Sequence, residues 1–152
     1  MARTRRLNAL RDRIAADPFA RRLGIETLEL RPGWSRMRLV LDPSMMNFHG
    51  MAHGGVVFAL ADAAFAAASN SRGEPAVALA MSIQFLDAAR AGDILTAEAR
   101  EERLGRRAAF YGMTVTGGDR TIATCQGVVH RRPGEPGAGR RRKSSRQRKA
   151  SS

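Results

Sequence analysis

The stretch NFHGMAHGGVVFALADAAFAAASNS, residues 47–71, decides how this chain folds. A polar loop with two histidines and three glycines runs straight into a segment built almost wholly of Ala, Val, Leu and Phe. Its length, its content of helix formers and the glycine after Asn70-Ser71-Arg72 predict a helix over about 54–71. A helix apolar on every side must be buried on every side. One carboxylate, Asp62, interrupts it. An uncompensated charge in an apolar setting costs roughly several kcal/mol, so this residue requires an explanation.

The flanking sequence supplies a cover for the helix. Residues 5–16 place Leu7, Leu10 and Ile14 at helical spacing among charges, and Asp17-Pro18 ends that amphipathic helix. A short turn through FARRLGI leads to a strand near Glu26–Arg31, and Pro32-Gly33 marks a turn. Residues 35–43 alternate, with Met37, Leu39 and Leu41 on one face and Arg36, Arg38 and Val40 on the other. Beyond the long helix, strands are predicted at 77–86, 94–104, 107–116 and 121–130. In the second, Leu95, Ala97 and Ala99 share a face; in the third, Ala109, Tyr111, Met113 and Val115 do. The class is α+β: five or six antiparallel strands and one long helix. A curled sheet covers one flank of such a helix, and a second copy of the chain can cover more. Sheet edges offer such a copy a place to join.

Composition sets further bounds. The 152 residues suffice for one domain with a core. The net charge is +12, but Arg131–Ser152 holds nine Arg or Lys and one Glu. Most of the excess therefore belongs to the end of the chain. We divide the chain into a domain at 1–132 and a basic tail at 133–152, too poor in large apolar residues to form a core. A solvated extension is the reading favoured for the tail. The other is loose contact with nucleic acid, anionic membrane or an acidic partner. One cysteine, Cys125, excludes an intrachain disulfide and fits a reducing cytoplasm. The basic N-terminal stretch has no apolar h-region, so a cytoplasmic location without membrane association is expected.

The loop has a definite chemistry. His53-Gly54-Gly55 falls at the predicted helix start, where backbone N–H groups lack partners and the dipole is positive. Glycine lets a ligand approach that backbone, so the Gly54 N–H is a candidate to stabilise an oxyanion. Asn47 and His53 add side-chain donors or acceptors. Asp62 lies eight residues further, about 12 Å along a helix axis. Gly54 and Asp62 of one chain cannot flank one small reacting group. Two helices packed antiparallel would bring Gly54 of one copy to Asp62 of the other, and the site would span an interface.

Asn47, His53-Gly54-Gly55 and Asp62 at this spacing resemble the PaaI-like branch of the hotdog-fold acyl-CoA thioesterases. LGIE at 23–26, SIQFLDAARAGD at 82–93 and GVVHRR at 127–132 extend the resemblance over roughly residues 7–132. It implies a curled antiparallel sheet wrapped around one central helix, dimers that pair into tetramers, and hydrolysis of acyl-CoA to free acid and coenzyme A. It implies that Asp62 activates water or attacks the carbonyl, and that the partner copy's Gly54 N–H polarises that carbonyl. By the same resemblance Asn47 positions thioester or water, and His53 and Gly55 match the loop positions. The implied acyl group is arylacetyl, such as phenylacetyl, or medium-chain. Phe48, Met51 and the Arg-rich tail depart from the family pattern. Phe58, Phe65, Met51 and Met81 are candidates for the acyl pocket. Arg131, with Arg72, Arg106, Arg107 and Arg132, is a candidate for the coenzyme A phosphates.

Other readings stand beside these. Asp62 could be a structural carboxylate paired with an arginine, and Gly54 and Gly55 could serve close packing. His53 could order the loop through its ring nitrogens or act directly. His49 and His53 lie four apart, but no Glu or Cys joins them, so no metal is expected. No cofactor is expected either, since neither a P-loop nor a dinucleotide fingerprint occurs. A serine nucleophile lacks its Gly-x-Ser-x-Gly elbow. Cys125, in a strand pattern, reads as packing. The alternative function is a non-catalytic hotdog dimer that binds acyl-CoA and uses its tail as an anchor. A hotdog dehydratase would need a different acid–base set.

Overall fold

A computed structural model describes residues 1–134, so most of the expected tail lies outside the described residues. The chain runs α1 (Ala2–Ala15), α2 (Pro18–Leu23), β1 (Glu26–Arg31), β2 (Trp34–Val40), α3 (Gly54–Asn70), β3 (Ala76–Phe85), β4 (Ile94–Leu104), β5 (Ala108–Gly117) and β6 (Arg120–Arg131). The six strands form one antiparallel sheet in the order β1-β2-β4-β5-β6-β3. It curls around α3, which is the hotdog arrangement the resemblance implies.

Alternation decides which face of each strand meets the helix. Met37, Leu39, Leu95, Ala97, Ala99, Ala109, Tyr111, Met113 and Val115 are all buried on the inner face, as their period predicts. Small residues dominate the seam: Ala97, Ala99, Ala109 and Ala123 of the sheet lie with Ala61, Ala64 and Ala68 of α3 in one core. Between sheet and helix, Gly127 makes a very close approach, because a Cβ there would sit 2.6 Å from the Phe65 ring. Phe65 in turn lies 5.5 Å from Tyr111, ring centre to ring centre.

Buried hydroxyls satisfy backbone groups that the helix would otherwise strand. Ser35, fully buried, donates through Oγ to the Ala64 carbonyl at 2.6 Å. Ser71 Oγ accepts from Gly33 N–H at 2.7 Å and donates to the Ala68 carbonyl at 2.6 Å. The Asn70 amide donates to the Ala66 and Ala76 carbonyls and accepts from Ala76 N–H, which locks the end of α3 to the start of β3.

Two local expectations need correction. FARRLGI is not a plain turn, because Pro18–Leu23 forms the short helix α2. Asp17 Oδ1 caps it by accepting from Ala20 N–H at 2.9 Å, Pro18 stands at its first positions, and Gly24 closes it at φ 77°. Gly73, expected to mark the end of α3, is not its cap either. Ser71 caps it in the right-handed region, and Gly73 (φ 92°) turns the chain two residues later. The Ser71 hydroxyl does the capping that glycine was expected to do.

One flank of α3 stays uncovered. Gly55, Asp62 and Ala66 are exposed, and Phe58, Ala59 and Ala63 are half-buried. Next to β6 the sheet ends in β3, whose Val77, Leu79 and Phe85 are 59%, 67% and 54% exposed. A single chain thus leaves an apolar edge strand and a bare stripe of its central helix in water.

Candidate active site

The loop before α3 is ordered from within. Asn47 Oδ1 accepts from His49 N–H (2.9 Å) and Met51 N–H (3.2 Å), while Asn47 N–H donates to the Met51 carbonyl at 2.7 Å. Gly50, at φ 75°, lets the chain reverse in that space. The loop is then tied down at its base: Ala52 N–H donates to the Ala89 carbonyl (2.8 Å) and His53 N–H to the Met45 carbonyl (2.9 Å). Phe48 projects from its tip, 93% exposed.

His53 is the N-cap of α3, and its Nδ1 accepts from Gly55 N–H at 2.9 Å. That bond places the proton of a neutral imidazole on Nε2. The loop-ordering role weighed for His53 is therefore present. Gly54 follows as the first helical residue, and its N–H has no acceptor among the described residues, as the geometry of a helix start requires. Gly54 also serves packing, since a Cβ there would meet the Phe85 ring at 3.1 Å.

Asp62 stands two turns further on, on the uncovered stripe with Phe58. Among the described residues it makes no ion pair or hydrogen bond, so the structural reading that paired it with an arginine finds no partner. Partial burial pushes its carboxyl above the ordinary aspartate value, and the charge of Asp17 adds to the effect. From the sequence alone Asp17 is only a helix stop. Its influence on Asp62 depends on how α2 packs against α3, which no local pattern reveals. The sequence places Phe85 in a strand but not against Gly54, because the alternation of SIQF gives its face and not its neighbour.

The remaining candidates separate. Asn47, His53, Gly54 and Gly55 come together at the head of α3, and Phe58 and Asp62 share its open face. Met51 and Met81 are half-buried, Met81 opposite Gly127 on the inner side of β3. Phe65 does not line a pocket of this chain: it is fully buried against Gly127 and Tyr111 and belongs to the core. Arg131 is not a free cation at a site mouth. Its guanidinium pairs with Glu74 and also donates to the Gly105 carbonyl, at the opposite end of α3 from the loop. Arg72 is likewise held, in a two-bond fork on Glu101 at 3.0 and 2.8 Å.

An N–H without an acceptor at a helix head and a carboxylate without a partner among the described residues are the kinds of group that a hydrolytic site for a carbonyl compound draws on. The comparisons agree with that class. The model of the Thioesterase superfamily matches residues 49–124, which contain both groups but not Asn47. The acyl-coenzyme A thioesterase PaaI of Escherichia coli K12 is 38% identical over 116 residues, spanning 76% of this chain and 83% of that protein. The structure of the E. coli PaaI protein from the phenylacetic acid degradation operon superposes with a TM-score of 0.81 at 34% identity, over 84% of this chain and 94% of that one. A Streptococcus mutans UA159 protein solved with acetyl-CoA bound gives 0.69 at 26% identity, over 72% and 89%. The chain belongs to the thioesterase superfamily and, within it, to the PaaI-like hotdog enzymes; it is a thioester hydrolase.

Proposed function

We propose that this protein hydrolyses an acyl-coenzyme A thioester to the free acid and coenzyme A, in a site completed by a second copy of the chain. The observation that carries this reading is the pairing of two unmatched groups on α3. The Gly54 N–H has no acceptor among the described residues, and Asp62 lies bare on the same helix, about 12 Å away along its axis. An antiparallel second copy, joined along the apolar edge β3, would set one chain's Gly54 against the other's Asp62. The same contact would cover the exposed stripe and Val77, Leu79 and Phe85. Further pairing of dimers into tetramers is part of the proposal by resemblance.

In that site the thioester oxygen accepts from the partner's Gly54 N–H as negative charge develops on it. Asp62 takes a proton from water, the water oxygen bonds to the carbonyl carbon, and the C–S bond breaks. The departing thiolate recovers the proton. The other route has the Asp62 carboxylate attack the carbonyl carbon and expel the thiolate, giving a mixed anhydride that water then opens, with the water's proton ending on the thiolate. If water opens the anhydride at the Asp62 carbonyl carbon, a single turnover in ¹⁸O-labelled water leaves the label in Asp62 and none in the acid, whereas the water route labels the acid. Asn47 positions the thioester or the water, and Met51, Phe58 and Met81 border the acyl group. The PaaI relatives support phenylacetyl or a similar arylacetyl group as substrate.

Thiol release from a panel of acyl-CoAs tests the reading. Asp62→Ala should lose roughly 10²–10⁴-fold in kcat, the usual worth of a positioned base. Its melting temperature should not fall, because Asp62 makes no contact that the fold needs. An Asp62→Ala enzyme with wild-type turnover would refute the role given to Asp62.

A further inference from the structure

At the opposite end of α3 from the loop, a cleft of about 340 Å³ opens between the first turn of α1 and the α3 C-terminus. It is lined by Ala2, Arg3, Arg6, Pro32, Ser71 and Arg72. Half of these residues are arginines. Arg36, Arg38, Arg100, Arg120 and Arg131 are ion-paired across the sheet and its loops. Arg3 and Arg6 make no ion pair among the described residues. Arg72 is fixed by Glu101 through Nε and Nη2, which leaves its Nη1 uncommitted among those residues.

The backbone makes room for these groups. At Gly33 (φ 73°) a Cβ would come within 3.2 Å of Arg72 Nη2, so a side chain there would displace the guanidinium. The stem of Arg6 lies along Gly73, with Cδ 3.5 Å from where a Cβ would be. The first turn of α1 holds no acid, and Met1 supplies no side-chain cap. Two arginines therefore stand at the positive end of a helix, where cations are disfavoured. They converge with a third arginine on one cleft, and Glu101, which holds that third arginine, is also committed to Tyr111. An anion between them would relieve this repulsion. Guanidinium forks match the oxygens of a phosphate better than they match a single-point acceptor.

We propose that this cleft is a binding site for a phosphomonoester, held by Arg3, Arg6 and Arg72. Ser71 lies nine residues beyond Asp62, about 13 Å along the helix, so the cleft is separate from the reacting centre. The phosphate has two sources, the 3′-phosphate of the substrate's own coenzyme A or a separate phosphorylated ligand.

The test uses the full chain and thermal unfolding in inorganic phosphate, against sodium chloride of equal ionic strength. Phosphate should raise Tm saturably in the wild type. The shift should vanish in Arg3→Gln/Arg6→Gln and persist in Arg11→Gln/Arg13→Gln, which removes the same charge from the same helix outside the cleft. Glutamine keeps the helix propensity in both. No phosphate-specific shift in the wild type, or a full shift in Arg3→Gln/Arg6→Gln, would overturn the proposal. Neither result depends on the enzyme's activity. A second arm, which rests on the proposed acyl-CoA hydrolysis, assigns the source. A several-fold rise in KM for an acyl-CoA but not its dephospho-CoA analogue in Arg3→Gln/Arg6→Gln supports the substrate's phosphate. An unchanged KM with the phosphate shift lost supports a separate ligand.

Discussion

A site shared between two chains makes a quantitative demand that a site within one chain does not. Gly54→Pro and Asp62→Ala disable different halves of the proposed machinery. Proline suits the first position of a helix, where its missing N–H has no intrahelical partner. His53 already has φ −61° and ψ 134°, the extended conformation that a residue before proline prefers. The steric cost is contact with Phe85, which would lie 3.1 Å from the new Cβ and is 54% exposed, so it can swing aside. Gly54→Pro thus removes one donor, worth about 3 kcal/mol or roughly 10²-fold in kcat. Each homodimeric variant should retain on the order of 1% of wild-type turnover or less. Co-expressed with different affinity tags and purified through both, the mixed dimer pairs an intact Asp62 with an intact Gly54 in one of its two sites. It should recover about half of wild-type activity per dimer. If both groups served a site within one chain, mixing would restore nothing. A doubly purified mixed dimer no more active than its parents would refute the shared site.

Other outcomes follow from particular contacts. Asp62 must be ionised to act, and its pKa is raised, so the acid limb of kcat/KM should lie above the ordinary aspartate range. Asp17→Asn keeps the cap on α2 but removes a charge that raises that pKa; the limb should move to lower pH with Tm little changed, as a pH–rate series with parallel melts would detect. Gly127→Ala drives a methyl to 2.6 Å from the Phe65 ring in a filled core, at a cost of about 1–3 kcal/mol in urea denaturation; an unchanged midpoint would mean that Phe65 is not packed as described. Burial pushes the Cys125 thiol up to about 11, so it should react with a disulfide reagent only as the protein unfolds, and fast labelling of native protein would contradict its place in the core.

Much of this architecture was legible because two periods dominate the sequence. Alternation in 37–41, 95–99 and 109–115 assigned inner and outer faces that the structure keeps. The apolar run behind His53-Gly54-Gly55 marked both the long helix and its head. The limits appear where a face depends on what covers it. Phe58 and Phe65 are seven residues apart, only about 20° apart around an ideal helix, so spacing alone cannot distinguish them. Phe65 is core because Gly127, more than sixty positions away in sequence, supplies no side chain and admits its ring, whereas Phe58 lies on the uncovered stripe. Charge has the same difficulty. Arg131 and Arg6 read alike in a chain of net charge +12, yet one is held by Glu74 and the Gly105 carbonyl while the other makes no ion pair among the described residues. In both cases composition names the group, and only the fold says whether its surroundings have already used it. That is also why Asp62 stood out. Its neighbours along the helix offer it nothing, the rest of the described chain offers it no pairing, and its exposed face is the one that a second copy would meet.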